Sequence, residues 1–462
     1  MSVTVVVMTR HRRIALRELA AVLALLAVAV VGCSSGGAEP EPAGTAPLSE
    51  ETRRALQLDG DWGWQRQAGP LELGVTHTQY SLDATEPADA RQRGVDILSE
   101  PGGVWQNHHL MGFGTLNPEP APGEYDWSSL DRRMQLTKDT GGRNVLTLCC
   151  APDWMKGGTP GETDWSRLEE APEGDFFDDF ANLAAEAVRR YPQVERVLVW
   201  NELKGFYRDS LNRWDYEGYT KLYNRVYDAV KAVRPDVAVG GPYAVLTSID
   251  PGQPDASAVG GDWGVADQRA LDIVDYWLDN NVGADFIAVD GSTSTRQGTV
   301  PTPLDVGARK FADLTTWLRE RTELPIWWAE FYADVPTDVQ GGPTSKASAA
   351  ATLTAVAAYA QSGTSAALLW GPQGHSLEYA ALWTDATGDD GGRPTPLTEG
   401  WQWLVPRLAD GKVEIGRSPT MPLVAFRAPD GVLVVNTTGD PIEVPSGAES
   451  LPAWSITLTP ST

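Results

Sequence analysis

The chain contains few cysteines, few histidines and few basic residues. Of its 462 residues, 3 are Cys and 5 are His, and they stand at no metal-binding spacing, so the sequence predicts neither a metal site nor another cofactor. The 37 Lys and Arg are outnumbered by 62 Asp and Glu, which gives a formal charge of −25. Because a nucleic-acid partner requires a basic face, this balance argues against nucleic-acid binding. The composition does not indicate an oligomeric state.

The N-terminus has the features of a targeting segment. Four arginines come first: Arg10, Arg12, Arg13 and Arg17. The apolar stretch that follows, over 20–31, is too short to indicate a transmembrane helix. It ends at Gly32-Cys33, which resembles a bacterial lipoprotein signal with lipid added to the Cys33 thiol. An ordinary signal peptide with an incidental cysteine is the alternative.

These features predict the location of the protein and its first two segments. We expect a signal peptide over 1–32 and a flexible tether over 33–60, since the tether is rich in Gly, Ala, Glu, Pro and Thr and lacks an apolar period. The mature protein is then extracytoplasmic and held at the cell membrane by an N-terminal lipid anchor. The two other cysteines, Cys149 and Cys150, are adjacent. They form either a vicinal disulfide or two buried thiols, and we favour the thiols.

From about residue 70, strand-like apolar runs alternate with helical patterns. The eight candidate strands cover 71–76, 105–113, 144–149, 196–201, 237–241, 284–290, 325–330 and 366–370. The clearest helical patterns cover 176–190, 216–233, 311–321 and 345–361, and the first two units have poorly marked helices. Alternation of this kind favours right-handed βα units and a parallel sheet. Eight units predict an α/β fold, a (β/α)8 TIM barrel over 61–405.

After about residue 405 the pattern changes to short strands. Two strands, over 423–427 and 432–436, flank the turn signal Asp430-Gly431 and predict a hairpin. The segments 442–444 and 454–458 add two more candidate strands. We therefore expect a small β-sandwich-like domain over 406–462, packed on the side of the barrel. Residues 56–64 are a candidate additional strand of this domain.

Two of the predicted barrel strands end in a glutamate. The first apolar run ends at Trp200-Asn201-Glu202, and the second ends at Trp328-Ala329-Glu330. Catalytic groups of (β/α)8 enzymes lie at the C-terminal ends of the strands, so the pair predicts an active site with two carboxylates. Taken singly, Glu202 is better explained as an exposed loop carboxylate that caps the next element, and Glu330 as a member of a structural ion pair.

These motifs resemble glycoside hydrolase family 39, which belongs to a large clan of retaining (β/α)8 glycosidases. The similarity extends to three further segments, which are 239–242, 122–131 and 150–154, and spans roughly residues 70–405. It implies that Glu202 is the general acid/base and that Glu330 is the nucleophile of a double displacement. It also implies that Asn201 bonds the sugar 2-hydroxyl and that Trp370 forms the floor of the sugar subsite. Core packing is the alternative for Trp370.

Other side chains near the predicted strand ends are weaker candidates for substrate binding: His108, His109, Asp153, Trp154 and Tyr243. The two histidines alternate along a strand, so one is expected to point inward, towards Glu330 or the sugar. A structural histidine with satisfied hydrogen bonds is the alternative. An oxidised Cys149–Cys150 pair would add a rigid apolar surface at the edge of the cleft.

Two positions depart from the family pattern. Leu203 stands where the family usually has proline after the acid/base, which alters the loop more than the chemistry. Asp290 stands in a region where many relatives have a His-x-Tyr pair whose tyrosine supports the nucleophile. Asp290 is therefore a candidate third carboxylate or polar sugar contact. This departure leaves open whether the sugar is the xylose or iduronate for which the family is known, or another.

The resemblance implies a retaining glycoside hydrolase acting on an extracellular or cell-wall glycan, in the manner of a β-xylosidase. Two alternatives stay open. The first is an endo-glycanase or transglycosylase on the same barrel, since loops decide between exo and endo action. The second is a lipoprotein that binds carbohydrate without hydrolysing it.

Overall fold

A computed structural model describes residues 47–58, 60, 62–336, 344–374, 380–444 and 450–460. The predicted signal peptide, Cys33 and the predicted tether up to residue 46 lie outside the described residues. Among the helices of the described ranges, none is both long enough and apolar enough to cross a membrane.

Eight parallel strands close into a barrel, as the sequence predicts. They are β1 (Glu72–Thr76), β2 (Trp105–His109), β3 (Arg143–Leu148), β4 (Val194–Val199), β5 (Ala238–Val245), β6 (Phe286–Ser292), β7 (Ile326–Tyr332) and β8 (Ala366–Trp370). Each strand pairs in parallel with the next, and β8 returns to β1. The prediction of a (β/α)8 barrel is confirmed. The predicted strand over 105–113 is shorter in the structure, since it ends at His109.

A helix follows each strand. The eight are α1 (Ala88–Ser99), α2 (Ser128–Asp139), α3 (Phe177–Arg190), α4 (Tyr216–Val233), α5 (Gln268–Asn280), α6 (Leu304–Arg319), α7 (Ser345–Ser362) and α8 (Thr398–Ala409). Local chemistry sets their ends. The Asp215 side chain caps α4 by accepting a bond from the Gly218 amide, and α4 ends just before Pro235.

The barrel interior is filled by side chains in layers, so that it forms a core rather than a pore. Near the N-terminal ends of the strands, the guanidinium group of Arg196 lies 4.7 Å from the centre of the Trp327 ring. A polar layer lies higher up. There, Asn107 Nδ2 donates to Thr76 Oγ1 at 3.2 Å, and Thr147 Oγ1 donates to Asn107 Oδ1 at 2.9 Å. This layer fixes the floor of the site above it.

The C-terminal domain is one five-stranded antiparallel sheet in the described part of the chain. Its strands, after the short Gln65–Arg66, are β9 (Glu414–Arg417), β10 (Leu423–Ala428), β11 (Gly431–Asn436) and β12 (Ile456–Pro460). The hairpin predicted at Asp430-Gly431 joins β10 to β11. One face, which includes Phe426 and Leu433, joins the barrel's apolar core, and α7 packs against it. The predicted strand over 442–444 forms only an isolated bridge between Ile442 and Leu451.

Residues near the N-terminus cover the other face of this sheet. Glu50–Ala55 is a short helix, and Leu56, Leu58 and Trp62 are buried against Leu423 and Val432. The added strand is Gln65–Arg66, which pairs with β9 and begins just after the predicted range 56–64. The flexible tether predicted over 33–60 therefore differs from the structure in residues 47–58, because the leucines there have apolar partners on the sheet.

Two insertions lie between strands and their helices. After β4 there is a two-stranded ribbon, Tyr207–Arg208 with Arg213–Trp214. After β5 there is a three-stranded sheet made of Ser248–Ile249, Ala256–Gly261 and Gly264–Asp267. Both follow the C-terminal ends of barrel strands, on the face where (β/α)8 enzymes hold their active sites.

Candidate active site

Two bulges in the barrel turn side chains of β5 and β7 into the site. Val289 pairs with Trp328 and Asp290 pairs with Glu330, which leaves Ala329 as an extra residue of β7. Tyr243 is the corresponding extra residue of β5, and its φ is 57°. A bulge interrupts the strict alternation of side chains and re-aims the residues beside it. The register therefore brings Tyr243 and Glu330 to the same site.

The segment after β4 carries backbone that is unusual for residues with a side chain. Trp200, Glu202 and Leu203 have φ values of 69°, 51° and 48°. Side chains make this region of φ costly, and such residues cluster at functional sites. Proline fixes φ near about −65°, so it cannot adopt the conformation of Leu203. This loop therefore accommodates Leu203 and would not accommodate the proline expected there from the resemblance.

Three carboxyl groups meet at the C-terminal end of the barrel. One oxygen of each of Glu202, Asp290 and Glu330 lies within 4.8 Å of an oxygen of the other two. We call this group the carboxyl triangle. Glu330 is 1% exposed and Asp290 is fully buried, while the Glu202 side chain retains 14% exposure. Glu202 is thus the member of the triangle that reaches solvent.

Glu330 is held by two tyrosines. Tyr243 donates a hydrogen bond of 2.5 Å to Oε1, and Tyr332 donates one of 2.5 Å to Oε2. Burial raises the pKa of Glu330 to about 8, and the charge of Glu202 adds to this, while the tyrosine hydrogen bonds and Lys204 act in the opposite direction. Burial beside the carboxyl groups raises the pKa of both tyrosines well above the usual value, so they remain donors.

Lys204 is the cation of the site. Its Nζ lies 3.1 Å from Glu202 Oε2 and 2.8 Å from Glu169 Oε1. Burial lowers the pKa of Lys204, but Glu202 and Glu169 outweigh that effect, and the pKa rises above its usual value. Gly205, with φ of 78°, allows the close approach, because a Cβ there would collide with the backbone of Ala171. The acid/base candidate therefore has a permanent positive charge beside it.

His109 and Asn201 lie side by side next to the triangle. Both are buried, and the Asn201 side chain is the hydrogen-bonding neighbour of the His109 ring. Burial lowers the pKa of His109 to about 3, with Lys204 adding to the effect, so the ring is neutral. One mutual bond leaves a ring nitrogen of His109 and the amide group of Asn201 able to bond the hydroxyl groups of a ligand.

Trp370 lies at the end of β8 as a half-buried side chain. Its ring centre is 6.3 Å from that of His109, 5.9 Å from that of Phe113 and 6.2 Å from that of Tyr332. Since Tyr332 bonds Glu330, this places Trp370 beside the triangle, with part of its ring open to solvent. A partly open aromatic ring is a suitable platform for the apolar face of a sugar.

Three predicted site residues have structural contacts instead. His108 points away from the barrel interior, where its Nε2 lies 2.9 Å from Thr137 Oγ1 and its ring stacks on His77. Asp153 pairs with Lys156 at 3.2 Å, and Trp154 Nε1 donates to the backbone oxygen of Glu119 at 2.9 Å. His108 and His109 are adjacent on β2, so only one of them can point into the barrel. Asp153 and Trp154 lie in the loop after β3, and their side chains pack within that loop.

Cys149 and Cys150 are joined by a disulfide directly after β3. Both are fully buried. The structure therefore differs from the favoured interpretation of two thiols. The pair also lies beneath the surface, so it does not form an apolar edge of the cleft.

The sequence did not predict Tyr332, Phe113 or Lys204 as residues of the site. A signal was present for Tyr332, because residues two apart on a strand share a face, and Glu330 and Tyr332 are two apart. The positions of Lys204 and Phe113 depend on loop conformation, which had no sequence signal.

The carboxyl triangle is also the one cluster of His, Cys, Asp and Glu side chains in the described residues compact enough to surround a metal ion. Lys204 already supplies a positive charge beside Glu202.

No protein-family model matches the chain, and no curated protein matches its sequence. Solved structures match the fold. A monomeric beta-xylosidase from Caulobacter crescentus CB15 is 16% identical with a TM-score of 0.55, over 80% of this chain and 75% of that one. A family 39 glycoside hydrolase from Bacteroides cellulosilyticus WH2 is 15% identical with a TM-score of 0.51, over 85% and 81%. The GH39 enzyme from Xanthomonas axonopodis pv. citri is 16% identical with a TM-score of 0.51, over 85% and 76%. The chain therefore shares the fold of family 39 glycoside hydrolase structures.

Proposed function

We propose that the protein is a retaining glycoside hydrolase in which Glu202 is the general acid/base and Glu330 is the nucleophile. The observation that carries this proposal is the short separation of their carboxyl oxygens, which is within 4.8 Å. Retaining enzymes place the two groups about 5–5.5 Å apart, whereas inverting enzymes leave about 6.5–9.5 Å for a water molecule. The distance thus favours attack by Glu330 itself.

The environments of the two groups suit these roles. Glu330 lies at the floor of the site, and the two tyrosines orient its oxygens towards an anomeric carbon above it. Glu202 is partly exposed, so it can reach both the leaving oxygen and the incoming water. In the first step Glu330 forms a bond to the anomeric carbon while Glu202 gives its proton to the departing oxygen. In the second step Glu202 takes a proton from water, which displaces Glu330.

The sugar is expected to lie between Trp370 and the triangle. Asn201 and His109 are placed to bond hydroxyl groups, because the contact between the two side chains leaves further donors and acceptors on both. A hydrogen bond to the 2-hydroxyl that strengthens in the transition state accelerates glycoside cleavage. By analogy with the Caulobacter beta-xylosidase, aryl xylosides are the first substrates to test.

The location belongs to the same proposal. We propose that lipid on Cys33 anchors the mature protein at the outer side of the cell membrane and that its substrate is an extracellular or cell-wall glycan. The arginines and the apolar stretch before Cys33 support this. Mass spectrometry of the mature N-terminal peptide should find a diacylglyceryl group on Cys33. An unmodified or uncleaved N-terminus would contradict the proposed anchor.

The catalytic proposal is tested with a panel of aryl glycosides and polysaccharides, with the product anomer followed by NMR. We expect retention of configuration. Glu330→Gln should lose activity by at least about 1,000-fold, because no nucleophile remains. Glu202→Gln should lose activity most on substrates with poor leaving groups. Matched controls are Glu195→Gln, near the opposite end of β4, and Glu323→Gln, just before β7, and both should keep full activity. Inversion, or full activity in both catalytic variants, would overturn the assignment.

A further inference from the structure

The proposed double displacement assigns no role to Asp290. It is fully buried at the end of β6, and neither of its carboxyl oxygens accepts a hydrogen bond from an N–H or hydroxyl group of the described residues. Its neighbours are the carboxyl groups of Glu202 and Glu330, each with an oxygen within 4.8 Å of one of its own. Two carboxyl groups can bond to one another only if one of them carries a proton. Both oxygens of Glu330 already accept hydrogen bonds from tyrosines, so Glu202 is the carboxyl group with which Asp290 can share a proton.

We propose that Asp290 is a positioning residue that shares one proton with Glu202 and keeps that proton available to the leaving oxygen. The inference rests on the proposed function. It explains how Glu202 can act as an acid beside Lys204, whose ammonium group at 3.1 Å favours the ionised form of Glu202. The neighbouring carboxyl group of Asp290 favours the protonated form of Glu202. Asp290 thus offsets the effect of Lys204 on the protonation of Glu202.

The charges around Asp290 support one shared proton rather than two free carboxylates. Burial raises the pKa of Asp290 well above its usual value, and the negative charges of Glu202 and Glu330 add to this. The titratable groups that face it come from five elements of the fold. They are Glu202 and Lys204 after β4, Tyr243 on β5, Glu330 and Tyr332 on β7, Lys310 on α6 and Tyr359 on α7.

The proton balance closes over one turnover. At the start Glu330 is ionised, and Glu202 and Asp290 together hold one proton. When Glu330 bonds to the anomeric carbon, the glycosidic bond breaks and this proton goes to the leaving oxygen, so both members of the pair are ionised while Glu330 is a neutral ester. When water displaces Glu330, the water proton returns to the pair. The total charge of the triangle is the same before and after each step.

The test compares Asp290→Asn with the wild type on two substrates that differ only in the leaving group. We use 2,4-dinitrophenyl and phenyl β-D-xyloside, or the same pair on whichever sugar the wild type hydrolyses. The dinitrophenolate leaves without a proton, and the phenolate requires one. Asp290→Asn should therefore lose about 100-fold in kcat/KM on the phenyl glycoside and only a few-fold on the dinitrophenyl glycoside.

Other outcomes separate the remaining explanations. An equal loss on both substrates would overturn the inference, because it would show that Asp290 binds the sugar or supports the fold. Unchanged kcat/KM of Asp290→Asn on both glycosides would also overturn the inference. Asp285→Asn, at the other end of the β6 segment, is the matched control and should change neither rate. A wild type that hydrolyses no glycoside would instead defeat the proposed function itself.

A measurement on the wild type covers the case in which Asp290→Asn does not fold. On the phenyl glycoside, the alkaline limb of kcat/KM reports the proton of the Glu202–Asp290 pair. We expect this limb at higher pH than the acid limb that Glu330 sets near pH 8. A limb near the ordinary glutamate value of about 4.3 would show that no second carboxyl group holds the proton, and would overturn the inference.

Discussion

The hydroxyl group of Tyr332 donates a hydrogen bond of 2.5 Å to Glu330, which lies two residues earlier on the same strand. Together with Tyr243 from β5, it occupies both oxygens of the nucleophile candidate. The resemblance to family 39 implied a tyrosine on β6 for this task, and β6 carries Asp290 instead. In this chain, the tyrosines that bond the nucleophile candidate therefore come from β5 and β7, the two neighbours of β6.

Removing one tyrosine hydroxyl should weaken the nucleophile at acidic pH. Because these bonds favour the ionised form of Glu330, Tyr332→Phe or Tyr243→Phe raises the pKa of Glu330 further. A hydrogen bond to a charged group contributes about 1.5–3 kcal/mol, so the acid limb of kcat/KM should move up by about one pH unit or more. The pH profile on a dinitrophenyl glycoside measures this.

Tyr359→Phe is the control for the tyrosine variants. Tyr359 is buried, and its hydroxyl group has no hydrogen-bond partner within the described ranges. Its removal should leave the acid limb in place. A similar displacement in all three variants would mean that general repacking, not the bond to Glu330, moves the limb.

Removing the charge of Glu202 should also shift the acid limb of kcat/KM. Burial and the charge of Glu202 together raise the pKa of Glu330 to about 8, so wild-type kcat/KM on a dinitrophenyl glycoside should rise with pH towards that value. Glu202→Gln removes the charge but not the burial. We expect its limb at lower pH than that of the wild type. An unchanged limb would show that the two groups do not interact in the free enzyme.

Glu330 should make folding less favourable as the pH rises. Its pKa is raised from 4.5 to about 8 in the folded protein, so between these values the unfolded chain releases a proton that the folded protein retains. Stability then falls with rising pH through this window. Glu330→Gln should match the wild type at pH 4 and exceed it by a few kcal/mol at pH 8. Denaturant unfolding at both pH values measures the difference, with Glu323→Gln as a control that shows none.

Trp370 should contribute to binding more than to stability. The ring is half-buried, and its open part is suited to a sugar face. Trp370→Ala should lower kcat/KM by about tenfold or more, which corresponds to about 1.4 kcal/mol, and Trp370→Phe should retain part of the lost activity. Comparable losses of activity and of thermal stability in Trp370→Ala would point to core packing, the alternative interpretation.

The peptide that contains Cys149 and Cys150 should carry no free thiol. The structure joins the two residues by a disulfide. Alkylation of the unfolded protein should label neither cysteine until a reductant is added, and both afterwards. Mass spectrometry of that peptide gives the count. Two labels without reductant would restore the interpretation of two thiols.

The barrel and its two glutamates were predictable because both follow from apolar patterning. The later part of β4 and the first part of β7 are buried on both faces, so each gives an apolar run, and Glu202 and Glu330 come at the end of these two runs. Helices α1 and α2 were poorly marked because their sequences are rich in charged residues, and tertiary packing decides them. The alternation along β2 predicted that one histidine points inward, but it did not tell His109 from His108.

The details of the site had no sequence signal, because they depend on the register between strands. The bulges at Tyr243 and Ala329 are set by how neighbouring strands pair, and a single sequence does not show pairing. The contact between Lys204 and Glu202 depends on three residues with positive φ. The fold and the two main residues were therefore more predictable than the groups that tune them.

Helix α7 bears on how the protein can be shortened. Fourteen consecutive residues of this helix, Ala347 to Ala360, are buried, and the helix packs against β9, β10 and β11 of the terminal sheet. A chain cut after about residue 405 would expose this alanine-rich surface to water. Such a fragment should aggregate on expression. The active barrel and its appendage therefore have to be produced, crystallised and engineered as one unit.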